Sequence, residues 1–165
     1  MTDASRKRSS LDRVRDYLAT HDLADRVVTF EGSTKTAQLA AEAVGCELGQ
    51  IVKSLVFVEG DGRAVLALVA GDRRGDSAAI ADCAGARKVT FADADTVREA
   101  TGYAIGGVSP FDLPEALVVL VDDSFERFEE VYTAGGTPNS MVRLTIPQLM
   151  TVSGGHMARV SQNPK

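Results

Sequence analysis

The sequence lacks tryptophan, and it has few aromatic residues, cysteines and histidines. Six Phe, three Tyr, two Cys and two His are present among 165 residues. Cys46 and Cys83 do not form a CxxC pair, which argues against a structural zinc site and favours a reducing, cytoplasmic location. We expect both thiols to be buried and inert, and we expect His21 and His156 to be surface or local hydrogen-bonding residues.

Long apolar runs and an excess of positive charge are also missing. No run approaches the ~20 apolar residues that a membrane-spanning helix requires. The basic start of the chain, MTDASRKRSS, is not followed by the apolar stretch of a secretory signal. The formal net charge is −5, whereas proteins that coat long nucleic acids are usually basic. These absences argue against a membrane protein and against a DNA-binding protein.

The remaining composition, 44% apolar and 25% charged residues, is ordinary for a globular protein. At this length we predict a single domain over residues 1–165. Residues 1–9 are interpreted as a disordered arm, and one hypothesis is that this arm touches tRNA. Predicted helices and short strands alternate without a repeat, and hairpins outnumber βαβ crossovers. We therefore predict a mixed α/β (α+β) fold, with a curled, largely antiparallel, barrel-like sheet and helices packed around it.

Capping residues and periodicity predict where several elements begin and end. Ser10 is predicted to cap one helix, and another is predicted to begin at the capping residues Ser33 and Thr34. Two apolar runs separated by the turn EGDG predict a β-hairpin over residues 51–70. A single strand is predicted for MARVS, residues 157–161.

A lysine stands in the middle of the first strand of that hairpin. In GQIVKSLVFVEGDGR (residues 49–63) both alternating faces are apolar, so we expect the strand to be covered on both sides. Lys53 shares a face with Leu55 and Phe57. Because an isolated ionisable group is expensive to bury, its ammonium either reaches a solvent edge or faces a polar cleft. The residues alone leave these two alternatives open.

The second candidate site is the irregular stretch TGYAIGGVSPF, residues 101–111. Adjacent Gly106 and Gly107 let the backbone approach a ligand closely, and Pro110 makes the end of the loop rigid. Long irregular loops are often functional, although a plain connecting loop is the alternative. A lysine near a glycine-rich backbone suits an anionic ligand that has a carbonyl group. The common phosphate-binding, metalloprotease and nucleophile-elbow motifs are absent from the sequence.

Four blocks of the sequence resemble the YbaK/ProX family, stand-alone relatives of the editing domain of bacterial prolyl-tRNA synthetase. In order, these blocks are TAQLAAEAVGCELGQIVKSLVF, ALVAGDRR, TGYAIGGVSPF and YTAGGTPN. The resemblance extends from about Thr34 to about Leu149. It implies an aminoacyl-tRNA deacylase, which hydrolyses a mischarged amino acid from the 3′-terminal adenosine of tRNA without a metal or another cofactor.

The resemblance also implies roles for particular residues. Lys53 is the implied essential side chain, which contacts the phosphate–ribose region, and Gly106 is implied as its catalytic companion. The ribose 2′-OH is implied to assist the attacking water. The implied substrate-binding residues are Gly107, Val108, Ser109, Pro110, Ala134, Gly135 and Asn139. Orienting the ester and the water in this way can accelerate hydrolysis without acid–base groups from the protein.

The sequence departs from the family's pattern near the implied site. Ala134 stands where some relatives have serine, and Thr137, Pro138 and Asn139 stand where some have a basic run. The implied substrate is therefore a small amino acid such as alanine, cysteine, serine, threonine or 2-aminobutyrate, with tRNA-Pro as the expected tRNA. A small, rigid pocket is suited to an editing site that hydrolyses only those amino acids small enough to enter it.

The implied partners are the acceptor end of aminoacyl-tRNA and, as a further hypothesis, prolyl-tRNA synthetase. The protein itself is expected to be a monomer or a homodimer. Two other functions stay open. One is a non-catalytic module that binds tRNA or a synthetase, and the other is a binder of a small aminoacyl ester or nucleotide that uses the same cleft.

Overall fold

A computed structural model describes residues 9–34 and 36–163 of the chain, so most of the arm predicted over residues 1–9 lies outside the described residues. The helices in this part are α1 (Ser10–Ala19), α2 (Ala37–Val44), α3 (Ser77–Ala84), α4 (Ala94–Thr101) and α5 (Ile146–Ser153). None of these described helices is long and apolar enough to cross a membrane. The strands are β1 (Val27–Thr29), β2 (Val52–Glu59), β3 (Ala64–Ala70), β4 (Arg74–Gly75), β5 (Val89–Phe91), β6 (Val118–Asp122), β7 (Glu130–Ala134), β8 (Ser140–Thr145), β9 (His156–Ala158) and β10 (Ser161–Gln162).

The strands of the described residues form three sheets. The largest has the order β5-β2-β3-β6-β9, in which β2 pairs antiparallel with β5 and β3, while β6 pairs parallel with β3 and β9. The second is the antiparallel sheet β1-β8-β7, and β10 pairs with β4. The mixed α/β fold is therefore as predicted. The described sheets do not close into a barrel.

The predicted hairpin is formed by β2 and β3, with Lys53 opposite Val69. One face of this hairpin packs into a core cluster that includes Val52 and Val56. The other face packs into a separate cluster that includes Phe57. As the alternation of apolar residues predicts, β2 is covered on both sides.

Two helices are capped by residues other than those predicted. Ser9 caps α1, because its hydroxyl accepts from the Asp12 N–H at 3.0 Å. Thr36 caps α2 by accepting from the Leu39 N–H at 3.1 Å. Thr34 is buried instead, and its N–H and hydroxyl both donate to the Pro138 carbonyl at 2.6 and 3.2 Å. The segment before α2 is thereby fastened to the loop after β7.

The predicted last strand is divided between two sheets. The backbone leaves β9 at Ala158 and enters β10 at Ser161, where it pairs with β4. The buried Asp122 carboxylate holds this break, since it accepts from the Val160 N–H at 2.9 Å and from the Ser161 hydroxyl at 2.7 Å. The Ser124 hydroxyl donates to the same carboxylate.

The two cysteines are less buried than the sequence predicted. Cys46 is half-buried, and burial raises the pKa of its thiol. Cys83 is exposed near the end of α3, so the expectation of a buried thiol was wrong there. Both are free thiols.

Candidate active site

A cavity of about 420 Å³ opens beside β2. The consecutive residues Ile51 to Val56 all line it, although their side chains alternate between the two faces of the strand. A cavity over one face would be lined by every second residue. This cavity therefore lies at the edge of the strand, where residues of both faces reach it.

That edge of β2 is open because its neighbours pair with only the two ends of the strand. On this side β5 pairs with β2 from Phe57 to Glu59, and Ile51 makes an isolated bridge to Tyr132 of β7. Within the described ranges, no strand pairs with this edge between Val52 and Val56. The cavity occupies the resulting gap in the sheet.

The main chain of Ser54 faces this gap. The Ile51 carbonyl accepts from the Gly71 N–H at 2.8 Å, so the odd-numbered residues of β2 direct their backbone groups towards β3. Even-numbered residues face the open edge, where the Val56 carbonyl accepts from the Ala92 N–H at 3.0 Å. It follows that the N–H and C=O of Ser54 point into the cavity.

Lys53 lines the cavity and is half-buried, so the cleft alternative describes its position better than the solvent edge. Its Nζ donates a hydrogen bond to the backbone carbonyl of Arg73. An ammonium group has three N–H donors, so two remain for a ligand. Burial lowers the pKa of Lys53, and the negative charge of Asp72 partly opposes this decrease.

Asp72 is expected to keep Lys53 protonated to a higher pH than burial alone allows. Its carboxylate accepts from both terminal nitrogens of Arg127, at 2.9 and 3.0 Å, and this interaction lowers the pKa of Asp72. Replacing Asp72 by asparagine removes the charge that favours the ammonium, so the pKa of Lys53 falls further. The ¹³Cε shift of Lys53, followed against pH, measures this change.

The same titration in Asp82→Asn, which removes an exposed carboxylate on α3, provides the control and should match the wild type. A Lys53 pKa in Asp72→Asn that equals or exceeds the wild-type value would contradict this electrostatic coupling. A Lys53→Arg variant assigns the resonance.

The loop of residues 105–110 reaches the cavity with only part of its length. Gly106 and Val108 line the cavity, and Gly106 has a φ of +91°, which favours glycine. Gly107 instead packs against the loop after β7, since a Cβ there would lie 3.2 Å from the Gly136 carbonyl oxygen. Ser109 and Pro110 are buried, and the Ser109 hydroxyl donates to the Ala134 carbonyl. These contacts fasten the loop to the end of β7.

Of the implied residues at the end of β7 and in the loop that follows it, only Ala134 lines the cavity. Gly135 is buried against Ser140, and its N–H donates to the Ser140 carbonyl at 2.9 Å. Asn139 is exposed, and its side-chain amide donates to the Phe30 carbonyl at 3.1 Å. Gly135 and Asn139 thus lie in the supporting loop, and a direct role for them in binding stays a prediction.

Several residues that line the cavity are absent from the predicted site, among them Ser54, Phe91 and Ile105. Ser54 directly follows Lys53, and its hydroxyl oxygen is buried without a hydrogen-bond partner in the described part of the chain. Ile105 lies inside the loop already singled out, so its position was a usable signal. Phe91 ends a short strand far away in the sequence, and nothing local indicated its role.

The described residues contain no group of three or more His, Cys, Asp or Glu side chains that could hold a metal ion. Among the residues that line the cavity, Lys53 has the only ionisable side chain in the ranges described. The cavity therefore offers one cationic group, main-chain hydrogen-bonding groups, the hydroxyl-bearing residues Thr34, Thr36 and Ser54, and otherwise largely apolar walls.

Similarity to known proteins covers most of the chain. The family model described as the aminoacyl-tRNA editing domain matches residues 31–152. Protein YwhH of Bacillus subtilis is 37% identical over 145 residues, which cover 87% of this chain and 91% of YwhH. The multifunctional Ser/Thr-tRNA deacylase ProXp-y of Escherichia coli is 32% identical over 154 residues, or 90% of this chain and 92% of that protein.

A solved structure supports the same assignment. It is described as a candidate trans-editing enzyme for prolyl-tRNA synthetase and superposes with a TM-score of 0.85 at 39% sequence identity. The superposition covers 95% of this chain and 99% of the other. Together with the match over residues 31–152, these similarities show that the chain belongs to the aminoacyl-tRNA editing domain family.

Proposed function

We propose that this protein is a trans-editing hydrolase that removes small, mischarged amino acids from tRNA. The proposed substrates are esters of serine, threonine, alanine, cysteine and 2-aminobutyrate, with tRNA-Pro as the principal tRNA. Similarity to the Ser/Thr-tRNA deacylase of Escherichia coli supports placing serine and threonine first in this range.

The observation that carries this proposal is the meeting of Lys53 and Gly106 in one small cavity at an open strand edge. A volume of about 420 Å³ lies within the usual range for small-molecule sites. The half-buried ammonium of Lys53 attracts a phosphate or an ester oxygen more strongly than an exposed lysine would. Apolar walls at Val108 and Ala134 suit a small side chain and provide no partner for a large polar one.

The proposed chemistry is ester hydrolysis by positioning. The oxygen of water forms a bond to the ester carbonyl carbon, the bond from that carbon to the ribose 3′ oxygen breaks, and the 3′ oxygen takes up a proton. We propose that Lys53 holds the phosphate–ribose end, while the main chain at Ser54 and Gly106 orients the ester. The neighbouring ribose 2′-OH assists the water and relays the proton. Orientation of this kind accounts for several kcal/mol of a reaction barrier.

Val108 and Ala134 are proposed to contact the amino-acid side chain, because both line the cavity. Gly107, Ser109 and Pro110 act on the substrate through the shape of the loop, which they fasten to the end of β7. We propose that Gly135 and Asn139 support the facing loop in the same way.

The proposed partner is the acceptor end of aminoacyl-tRNA. Recognition of one RNA end needs few phosphate contacts, so a net charge of −5 is compatible with it. A requirement for the 2′-OH also makes the reaction specific for RNA. A cytoplasmic location follows from this function. The association with prolyl-tRNA synthetase stays a prediction. That the protein is a monomer or a homodimer also stays a prediction.

The test is hydrolysis of a panel of mischarged tRNAs by the wild-type protein. Seryl, threonyl, alanyl, cysteinyl and 2-aminobutyryl esters are prepared on tRNA-Pro and on a second tRNA, with phenylalanyl-tRNA as the bulky control. We expect release of the small amino acids at least about tenfold faster than release of phenylalanine, because the same cavity also has to hold the terminal ribose, which leaves little room for a bulky side chain. The amide-linked analogue of seryl-tRNA, which lacks the ester bond, controls for release of label by cleavage elsewhere in the tRNA.

Two results would overturn this proposal. Binding of tRNA without release of any amino acid above the spontaneous rate would indicate a non-catalytic binding module. Equal rates on aminoacyl-tRNA and on simple amino-acid methyl esters would indicate a small-molecule esterase that does not recognise RNA.

A further inference from the structure

The two most exposed large hydrophobic side chains in the described residues lie at the same cavity. Phe91 is 69% exposed and Ile105 is 63% exposed, and both line the cavity. The other two large hydrophobic side chains in this exposed class are Val28 and Leu39, and neither of them lines it. A single exposed apolar residue needs no explanation, but two that line one cavity opening provide apolar contact area for a ligand.

The Phe91 ring is held with one face available. Its centroid lies 4.6 Å from that of the buried Phe57 ring, and the two planes meet at 29°. One face of Phe91 thus packs on a fixed support in the core. An aromatic ring supported on one face and exposed on the other is suited to stack a flat ligand.

The position of Phe91 relative to Lys53 matches the two ends of a terminal nucleotide. Phe91 pairs with Phe57, which lies four residues and roughly 13 Å along β2 from Lys53. The open edge around Ser54 lies between them. A ligand whose charged backbone is at Lys53 and whose ester is at this edge therefore has its base near Phe91.

We infer that Phe91 is the platform on which the terminal adenine of the tRNA stacks, and that Ile105 covers the base from the loop. This inference rests on the proposed function and adds a base-binding subsite to it. Ile105 belongs to the same loop as Gly106, so that loop contacts both the ester and the base. Stacking on an aromatic ring is a common way for proteins to hold unpaired RNA bases.

A kinetic comparison tests the subsite. Phe91→Ala is expected to raise the KM for seryl-tRNA about tenfold, while kcat stays within about twofold of wild type, because loss of one base stack weakens binding without altering the ester's surroundings. Phe91→Tyr keeps the ring and should restore the wild-type KM. Val28→Ala, which shortens another exposed apolar side chain, is the matched control and should change neither constant.

A binding measurement separates this inference from the proposed activity. The probe is a short RNA hairpin that ends in 2-aminopurine and has serine attached by a non-hydrolysable amide. Wild-type protein is expected to quench the 2-aminopurine fluorescence on binding, and Phe91→Ala is expected to lose most of this quenching at saturating protein.

Each outcome decides one of the two ideas. Hydrolysis by the wild type with an unchanged KM and unchanged quenching in Phe91→Ala would overturn the base platform and leave the activity standing. Phe91-dependent quenching without hydrolysis would support the base platform and overturn the proposed activity. A loss of self-association in Phe91→Ala at unchanged KM would assign the exposed ring to contact between two copies of the chain, and would also overturn the inference.

Discussion

Replacing Lys53 by alanine is expected to lower kcat/KM for seryl-tRNA by about 100-fold or more, with most of the loss in kcat. Lys53 is the only ionisable side chain that lines the cavity in the described ranges, and it is half-buried, so no neighbouring cation compensates for its loss. Losing the group that holds the phosphate–ribose end displaces the ester from its reactive orientation, and a misplacement of about 1 Å can cost roughly 10²-fold in rate. Single-turnover release of radiolabelled serine measures the chemical step directly.

Two further variants separate a role in the reaction from a role in folding. Lys53→Met keeps most of the side chain's length and removes its charge, so we expect the same loss of rate at a similar thermal midpoint. Lys53→Arg keeps the charge but changes the donor geometry, and an intermediate rate is expected. A fall in the thermal midpoint with near wild-type kcat would assign Lys53 to holding the Arg73 carbonyl alone. Weakened tRNA binding at unchanged kcat would assign Lys53 to substrate binding alone.

Replacing Asp122 by alanine is expected to lower the free energy of unfolding by about 2–4 kcal/mol, since it leaves several buried donors unpaired. The carboxylate is fully buried and accepts from the Val160 N–H and from the hydroxyls of Ser124 and Ser161. These bonds fix the turn by which the chain leaves β9 and enters β10. Urea denaturation, followed by circular dichroism at constant pH, measures the loss.

Asp122→Asn keeps the shape and one acceptor oxygen, so it should lose less stability than Asp122→Ala. Glu126→Ala removes an exposed carboxylate four residues later and is expected to leave the urea midpoint unchanged. An Asp122→Ala midpoint equal to that of Glu126→Ala would show that the buried network does not stabilise the fold.

Much of the fold could be predicted because its signals are local. Alternating apolar residues predicted the β2–β3 hairpin and its cover on both faces, and four ordered sequence blocks predicted the family and the hydrolase class, which the comparisons confirm. The capping residue of α2 was predicted incorrectly, because the segment STKT contains several hydroxyl groups that can cap a helix. Thr34 does not cap the helix because its hydroxyl donates to the carbonyl of Pro138, more than 100 residues later in the chain.

Candidate site residues could be predicted where a residue type is unusual for its sequence surroundings. They could not be predicted where the position of a residue depends on packing between distant parts of the chain. Lys53 was conspicuous as a charge in an apolar strand, and Gly106 as part of a glycine pair. Gly107 and Ser109 lie in the same loop, but they pack on the segment after β7, and only the folded structure shows which way each one faces. Phe91 reaches the cavity because β5 pairs with only the end of β2.

The gap beside Ser54 also affects how this protein can tolerate mutation. The hydrogen-bonding groups that face the cavity there belong to the peptide backbone, and a point mutation exchanges a side chain while leaving N–H and C=O in place. Proline is the exception, because it removes the N–H. Under the proposed function, substitutions at lining positions such as Ala134 and Met141 can therefore change which amino acid fits while the proposed contacts to the ester persist. On this proposal, the amino-acid specificity of the site can change without changes to the backbone groups that orient the ester.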